Sequence, residues 1–139
     1  MDIPDLRSRA DSGSCVAQAI LGIAYLHGIE TEVDLEEAYR LLSAAAEKGV
    51  PRAMENLAYM YAEGLGITQN QGEAVRLYTR AAIAGEFYAQ IELARIFALG
   101  RGVEANSDEA RRWYSAAVAQ NVADDNEMQE AKAYLAAHP

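Results

Sequence analysis

A single cysteine, Cys15, excludes any disulfide within the chain. It falls in an apolar helical pattern, so it is expected as a small buried residue, a usage that fits a reducing compartment. Histidine is equally scarce: His27 and His138 have no second histidine or cysteine at metal-ligand spacing. Cys15 precedes His27 by a dozen residues, too far along one helix for a thiolate–imidazole dyad. No glycine-rich phosphate loop is present, since Gly64-Leu65-Gly66 and Gly100-Arg101-Gly102 are copies of one recurring turn. These gaps argue against an enzyme, a bound cofactor and a metal site. Positive charge is also in deficit, with 12 lysines and arginines against 21 acids and a net charge of −9. Such a chain has no general attraction for nucleic acid or anionic membranes. The acidity serves solubility, or a basic partner. No stretch approaches the roughly 18 apolar residues of a membrane span. The first residues, MDIPDLRSRADSG, lack the apolar core of a signal peptide. A soluble, cytoplasmic protein is expected.

What the chain does have is repetition. Hydrophobic residues make up 51% of it, which rules out a disordered chain, and much of that share is alanine. A step of 36 residues links Ala17, Ala53 and Ala89, then Leu21, Leu57 and Leu93, then Gly28, Gly64 and Gly100. The same step links Glu37, Glu73 and Glu109, Arg40, Arg76 and Arg112, and Ala45, Ala81 and Ala117. A fixed period in this range marks stacked units, each burying its apolar face on its neighbours.

Each unit carries two helical patterns. Ala17, Leu21, Ala24 and Tyr25 fall on one face of a first helix, and Gly28 is placed to end it. The second helix starts at a column of Asp34, Asn70 and Asn106, each three residues before a glutamate. This is a variant capping box, in which the short side chain accepts from a free N–H and the glutamate reaches back. Small alanines on this second helix allow close approach, and aromatics such as Tyr78, Trp113 and Tyr114 fill the layers. Gly49 and Gly85 close it in two copies, with Asn121 in the third. The expected division is a partial-repeat tail over 3–13, units over 14–49, 50–85 and 86–121, and a capping helix over 124–137. In that last helix Glu127, Gln129, Glu130 and Lys132 are expected to face outward.

These columns resemble the Sel1-like repeat family, a relative of tetratricopeptide repeats. The third unit carries the family pattern most fully, as Ala89-x3-Leu93-Ala94-x2-Phe97-x2-Gly100-x-Gly102-Val103-x2-Asn106-x2-Glu109-Ala110-x2-Trp113-Tyr114-x-Ala116-Ala117. The resemblance covers about residues 14–121. Three departures stand out. Glu30 replaces the second loop glycine, so that loop is expected to take a different path. Only the third unit keeps the Trp-Tyr pair. Glu37, Glu73 and Glu109 replace the family's usual lysine. The lone cysteine also separates this chain from the branch whose cysteines bridge the two helices of each repeat.

The resemblance implies an all-α, right-handed solenoid of antiparallel helix pairs with capping helices and a concave inner face. Family members act mostly as adaptors, in bacterial signalling, envelope maintenance, host interaction and quality control. By analogy with tetratricopeptide repeats, the concave positions are Val16, Ala19, Ile23, Leu26 and His27 in the first unit. The second gives Arg52, Glu55, Tyr59, Ala62 and Glu63, and the third Tyr88, Ile91, Arg95, Ala98 and Leu99. Ile23, Leu26, Ile91 and Leu99 would form an apolar floor. Tyr59 and Tyr88 would give flat contacts, and Arg52, Glu55, Glu63 and Arg95, with His27 beside them, would set register. Some of these side chains would serve only to pack adjacent helices. A clamp for a chaperone's C-terminal carboxylate is disfavoured, because Ala19, Ile23, Glu55 and Tyr59 supply too little positive charge. The expected role is a non-catalytic adaptor that binds a protein or peptide on this face, as a monomer or weak homodimer. An inhibitor of one specific target, or a structural module of a larger assembly, are the alternatives.

Overall fold

The computed structural model describes residues 1–122 and 125–139. Among them the fold is all-α, with eight helices. The chain divides into two compact units, Met1–Asn70 and Gln71–Pro139. Unit 1 holds α1 (Ile3–Asp11), α2 (Cys15–His27), α3 (Leu35–Glu47) and α4 (Pro51–Glu63). Unit 2 holds α5 (Gln71–Ile83), α6 (Phe87–Leu99), α7 (Ser107–Ala119) and α8 (Asn126–Ala137). Of the expected capping stretch 124–137, residue 124 lies outside the described residues.

The repeated columns are the core. In unit 1, α2 packs on α1 and α3, and α3 on α4. Leu6, Ala10, Ala17, Leu21 and Leu41 form one buried cluster, with Ile3 and Tyr25 packed against it. In unit 2, α6 packs on α5 and α7, and α7 on α8. Leu77, Ile91, Leu93, Trp113 and Tyr114 are buried there. The alanine columns are fully enclosed, with Ala38, Ala74 and Ala110 all at 0% exposure. A larger side chain at those positions would force the helices apart. Cys15, expected as buried, is half-buried at the first position of α2.

The caps form, but only in part as expected. Asp34 Oδ1 accepts from Glu37 N at 3.1 Å, and Asn106 Oδ1 from Glu109 N at 3.1 Å. The glutamates do not complete the box. The N–H groups of Asp34, Asn70 and Asn106 are already donated to the carbonyls of Tyr25, Tyr61 and Phe97, at 3.0, 2.9 and 2.9 Å. Glu37, Glu73 and Glu109 pair instead with Arg40, Arg76 and Arg112, one turn on. The arginine beside each of Glu37 and Glu73 holds its carboxyl below the usual carboxylate value.

Glu30 does not send its loop along a different path. Its φ is 57°, in the same left-handed region as Gly66 at 71° and Gly102 at 75°. In each copy the tyrosine or phenylalanine carbonyl still takes the cap N–H, which holds the turn in place. Asn121, at φ 50°, adopts the left-handed turn expected of it.

Candidate interaction surface

In unit 1, helical spacing lines up Val16, Ile20, Ile23 and His27 along one side of α2. Val16 is 57% exposed and Ile20 40%, Ile23 is half-buried, and His27 is exposed. On α4, Arg52, Tyr59 and Glu63 are exposed and Glu55 is half-buried. The two helices meet where the His27 ring stacks on Tyr59, with centroids 6.1 Å apart and planes 22° from parallel. His27 Nε2 lies 3.3 Å from Asn56 Oδ1, and Asn56 Nδ2 donates to the Arg52 carbonyl at 2.8 Å. Beside this contact a cleft of about 270 Å³ is lined by Val16, Ala19, Ile20, Ile23, Val50 and Arg52, among others. Leu26 is not part of the floor; it is buried, because its position on α2 points into the helix packing.

In unit 2, two residues of the expected strip, Tyr88 and Arg95, bond to the chain's own Asp125 and Glu130, at the N-cap of α8 and within it. Ile91 is 0% exposed and belongs to the core, as does Ala19 in the same column at 4%. Tyr88 is exposed, with its hydroxyl donating to Asp125 Oδ2 at 3.1 Å and its ring edge-on to Phe87. Arg95 Nε donates to both carboxylate oxygens of Glu130, at 3.1 and 2.8 Å, and its guanidinium also pairs with Glu92. Tyr114 donates its hydroxyl to Glu130 Oε2 at 2.6 Å. Arg95 therefore anchors α8, and is not a free register residue. Glu130, expected to face outward, faces inward and is half-buried, whereas Gln129 and Lys132 are exposed. Of the expected floor in this unit, Leu99 alone stays open, at 69% exposure.

The electrostatics follow the contacts. Hydrogen bonds from Arg95 pull the Glu130 carboxyl below the usual carboxylate value, against the opposing effect of burial. Glu130 in turn raises the Arg95 guanidinium. Burial, then the bond to Glu130, raises the Tyr114 phenol.

Ile20, Val50 and Asn56 belong to this surface, and the strip copied from tetratricopeptide positions omits them. The signal for two of them was the repeat itself. Ile20, Asn56 and Glu92 occupy one column yet share no chemistry, as a column facing outward would. Among the described residues no group of three or more histidines, cysteines or acids is placed to hold a metal ion. No helix among them is long and apolar enough to cross a membrane.

The Sel1 repeat model matches residues 15–50, 51–86 and 87–122. A Sel1 repeat protein from Oxalobacter formigenes is 39% identical, with a TM-score of 0.79 over 95% of this chain and 98% of that one. A protective antigen of uropathogenic Escherichia coli is 34% identical, with a TM-score of 0.80 over 86% of this chain but 26% of its own length. The cysteine-rich protein B of Helicobacter pylori, at 16% identity and a TM-score of 0.71, shares the fold over 94% of this chain and 97% of its own. No curated protein matches the chain. Sel1 repeat proteins are generally scaffolds for protein interaction, and typically non-catalytic. Three consecutive matches, with these structures beside them, place the chain: it belongs to the Sel1 repeat family.

Proposed function

We propose that this protein is a non-catalytic interaction module that binds a segment of another protein along α2 and α4. One observation carries the reading. Val16 and Ile20 stand exposed on α2 beside a cleft, and the stacked pair His27–Tyr59 continues that side onto α4. Exposed aliphatic side chains in line with a tyrosine are the composition of a recognition surface. Scattered exposed apolar residues are ordinary on any protein, whereas these share one helix side and one cleft. Tyr59 is 40% exposed and held in orientation by His27, so little side-chain entropy is lost on binding.

The test is affinity capture from native lysate, with wild-type bait beside a Val16→Glu, Tyr59→Ala bait of equal thermal stability. Arg95 stays untouched in that bait, because it holds α8. A protein retained by the wild type and lost from the variant is the expected result. Identical retention by both would remove this surface from consideration.

A further inference from the structure

Resting on the interaction-module reading, we infer that the α2 cleft of unit 1 takes an acidic amphipathic segment, with aliphatic side chains in the cleft and a carboxylate on Arg52. Two charges belong to the residues that line the cleft, the Arg52 guanidinium and the Met1 ammonium, which Glu30 already pairs at 3.1 Å; the side chains around them, Val16, Ile20, Ile23, Ile29 and Val50 among them, are apolar. Among the described residues, Arg52 is the one lysine or arginine of unit 1 with neither an ion pair nor a side-chain hydrogen bond. Arg7 and Arg40 are held by Glu37, Arg9 by Asp5, and Lys48 by the Gly13 carbonyl. In a chain of net charge −9, a lone unpaired guanidinium beside an apolar cleft marks a charge preference. An apolar segment laid over the cleft strips water from that guanidinium. The loss is offset when the segment brings a carboxylate, and a basic segment is repelled.

The chain uses this chemistry on itself. In unit 2, α8 buries Met128 and Ala131 while its Glu130 accepts three hydrogen bonds from Arg95, two from Nε and one from Nη2. Aliphatic contact and a carboxylate on arginine thus act together where α8 seats on unit 2, with the Tyr114 hydroxyl beside them. A second copy of the chain is a poorer occupant. A contact symmetric about this cleft would set Arg52 toward the Arg52 of its own copy, two like charges brought together as an apolar contact strips their water.

The experiment pans a random peptide library, displayed on phage, against the full chain and its Arg52→Glu and Ile20→Glu variants, whose folding is checked by circular dichroism and melting. Both positions are exposed, so the fold should survive. The wild type is expected to enrich peptides that pair aliphatic residues with Asp or Glu. Replacing that acid by its amide in a synthetic peptide should weaken binding by about tenfold. Arg52→Glu should lose these peptides and select Lys or Arg instead, and Ile20→Glu should lose them all. Enrichment with no acid preference, still dependent on Ile20, would overturn the inference and leave the interaction reading standing. Peptides indifferent to both positions would overturn both. A library with no enriched peptide also overturns the inference, and the lysate capture then decides the broader reading on its own. A dimer by sedimentation velocity that Ile20→Glu dissociates would give the cleft to a second copy and overturn the inference too.

Discussion

Arg95 on α6 and Glu130 on α8 are joined by three hydrogen bonds, two from Nε at 3.1 and 2.8 Å and one from Nη2 at 2.5 Å. Tyr114 on α7 donates to the same carboxylate at 2.6 Å, so Glu130 ties three helices together. Its side chain is 34% exposed and that of Arg95 31%, so water reaches both. A fully buried pair broken on one side costs about 3–5 kcal/mol. Here Arg95 keeps Glu92, and water can replace part of what is lost. Glu130→Ala is therefore expected to cost about 1–2 kcal/mol. Urea denaturation gives the size, and hydrogen exchange gives the place. Amides of 126–137 should exchange faster while those of α2 and α3 do not. Unchanged exchange in α8 would show that Met128 and Ala131 hold it without the carboxylate.

The same pair sets a pH dependence. Glu130 has its carboxyl lowered from the ordinary value of 4.5, chiefly by the bonds from Arg95. A lowered folded-state value means the native state holds the ionised form where the unfolded chain would take up a proton. The stabilisation is complete above the ordinary value and disappears as pH falls through the lowered one. Glu37 and Glu73 are lowered too and act in the same direction. Comparing wild type with Glu130→Gln cancels those common contributions. The variant should lose less stability on acidification, as followed by melting temperature across the acid range. On the alkaline side Tyr114 is raised from 10.0, so its contribution is present below that value and lost as pH rises above it. Tyr114→Phe should flatten that alkaline decline.

Legibility in the sequence followed repetition. Leu21 and Leu93 could be read as core because the same turn of helix buries the same position in each copy, and both are 0% exposed. The caps at Asp34 and Asn106 were legible because a cap is a contact between residues three apart. Ile91 was misplaced because positions were counted from another family's groove, while in this packing its column points inward. Arg95 was misplaced because its partner lies 35 residues away on α8, the helix that breaks the period. Glu30 was misjudged from residue type alone, since the surrounding turn imposes its backbone conformation.

That imposed conformation gives a further expectation. Glu30 sits at φ 57°, where a side chain is strained and glycine is not. The corresponding positions are Gly66 and Gly102. Its carboxylate meets the Met1 ammonium at 3.1 Å, but at 52% exposure that pair is worth little. Glu30→Gly removes strain of about 1–2 kcal/mol and adds unfolded-state freedom worth roughly 0.5–1 kcal/mol. A net gain of about 0.5–1 kcal/mol is expected, seen as a higher urea midpoint with an unchanged slope. A lower midpoint would mean that the loop depends on the Glu30 side chain.

The opposite case is Gly22, a glycine in the middle of a helix. Replacing it with alanine should favour the helix by about 1 kcal/mol. The neighbours decide otherwise. A Cβ at Gly22 would come within 2.8 Å of Leu42 Cγ, 2.9 Å of Leu42 Cδ2 and 3.2 Å of Leu41 Cβ. Leu42 is 0% exposed and Leu41 2%, so neither can swing out to make room. Overpacking of this kind costs about 1–3 kcal/mol. Gly22→Ala is expected to destabilise by up to about 2 kcal/mol, despite the better helix former. Ala94 stands at the corresponding position of the third copy, where Tyr114 replaces Leu42 in the facing column. Alanine is thus acceptable to the repeat, and the obstacle is the branched Leu42. The decisive measurement is a double-mutant cycle with Leu42→Ala, scored by urea denaturation. Leu42→Ala alone opens a cavity and should cost about 2–5 kcal/mol. The double variant should be more stable than the sum of the single losses, because the new methyl enters the space that Leu42 vacates. Simple additivity would mean that α2 and α3 move apart to admit the methyl, and that the close approach at Gly22 is dispensable.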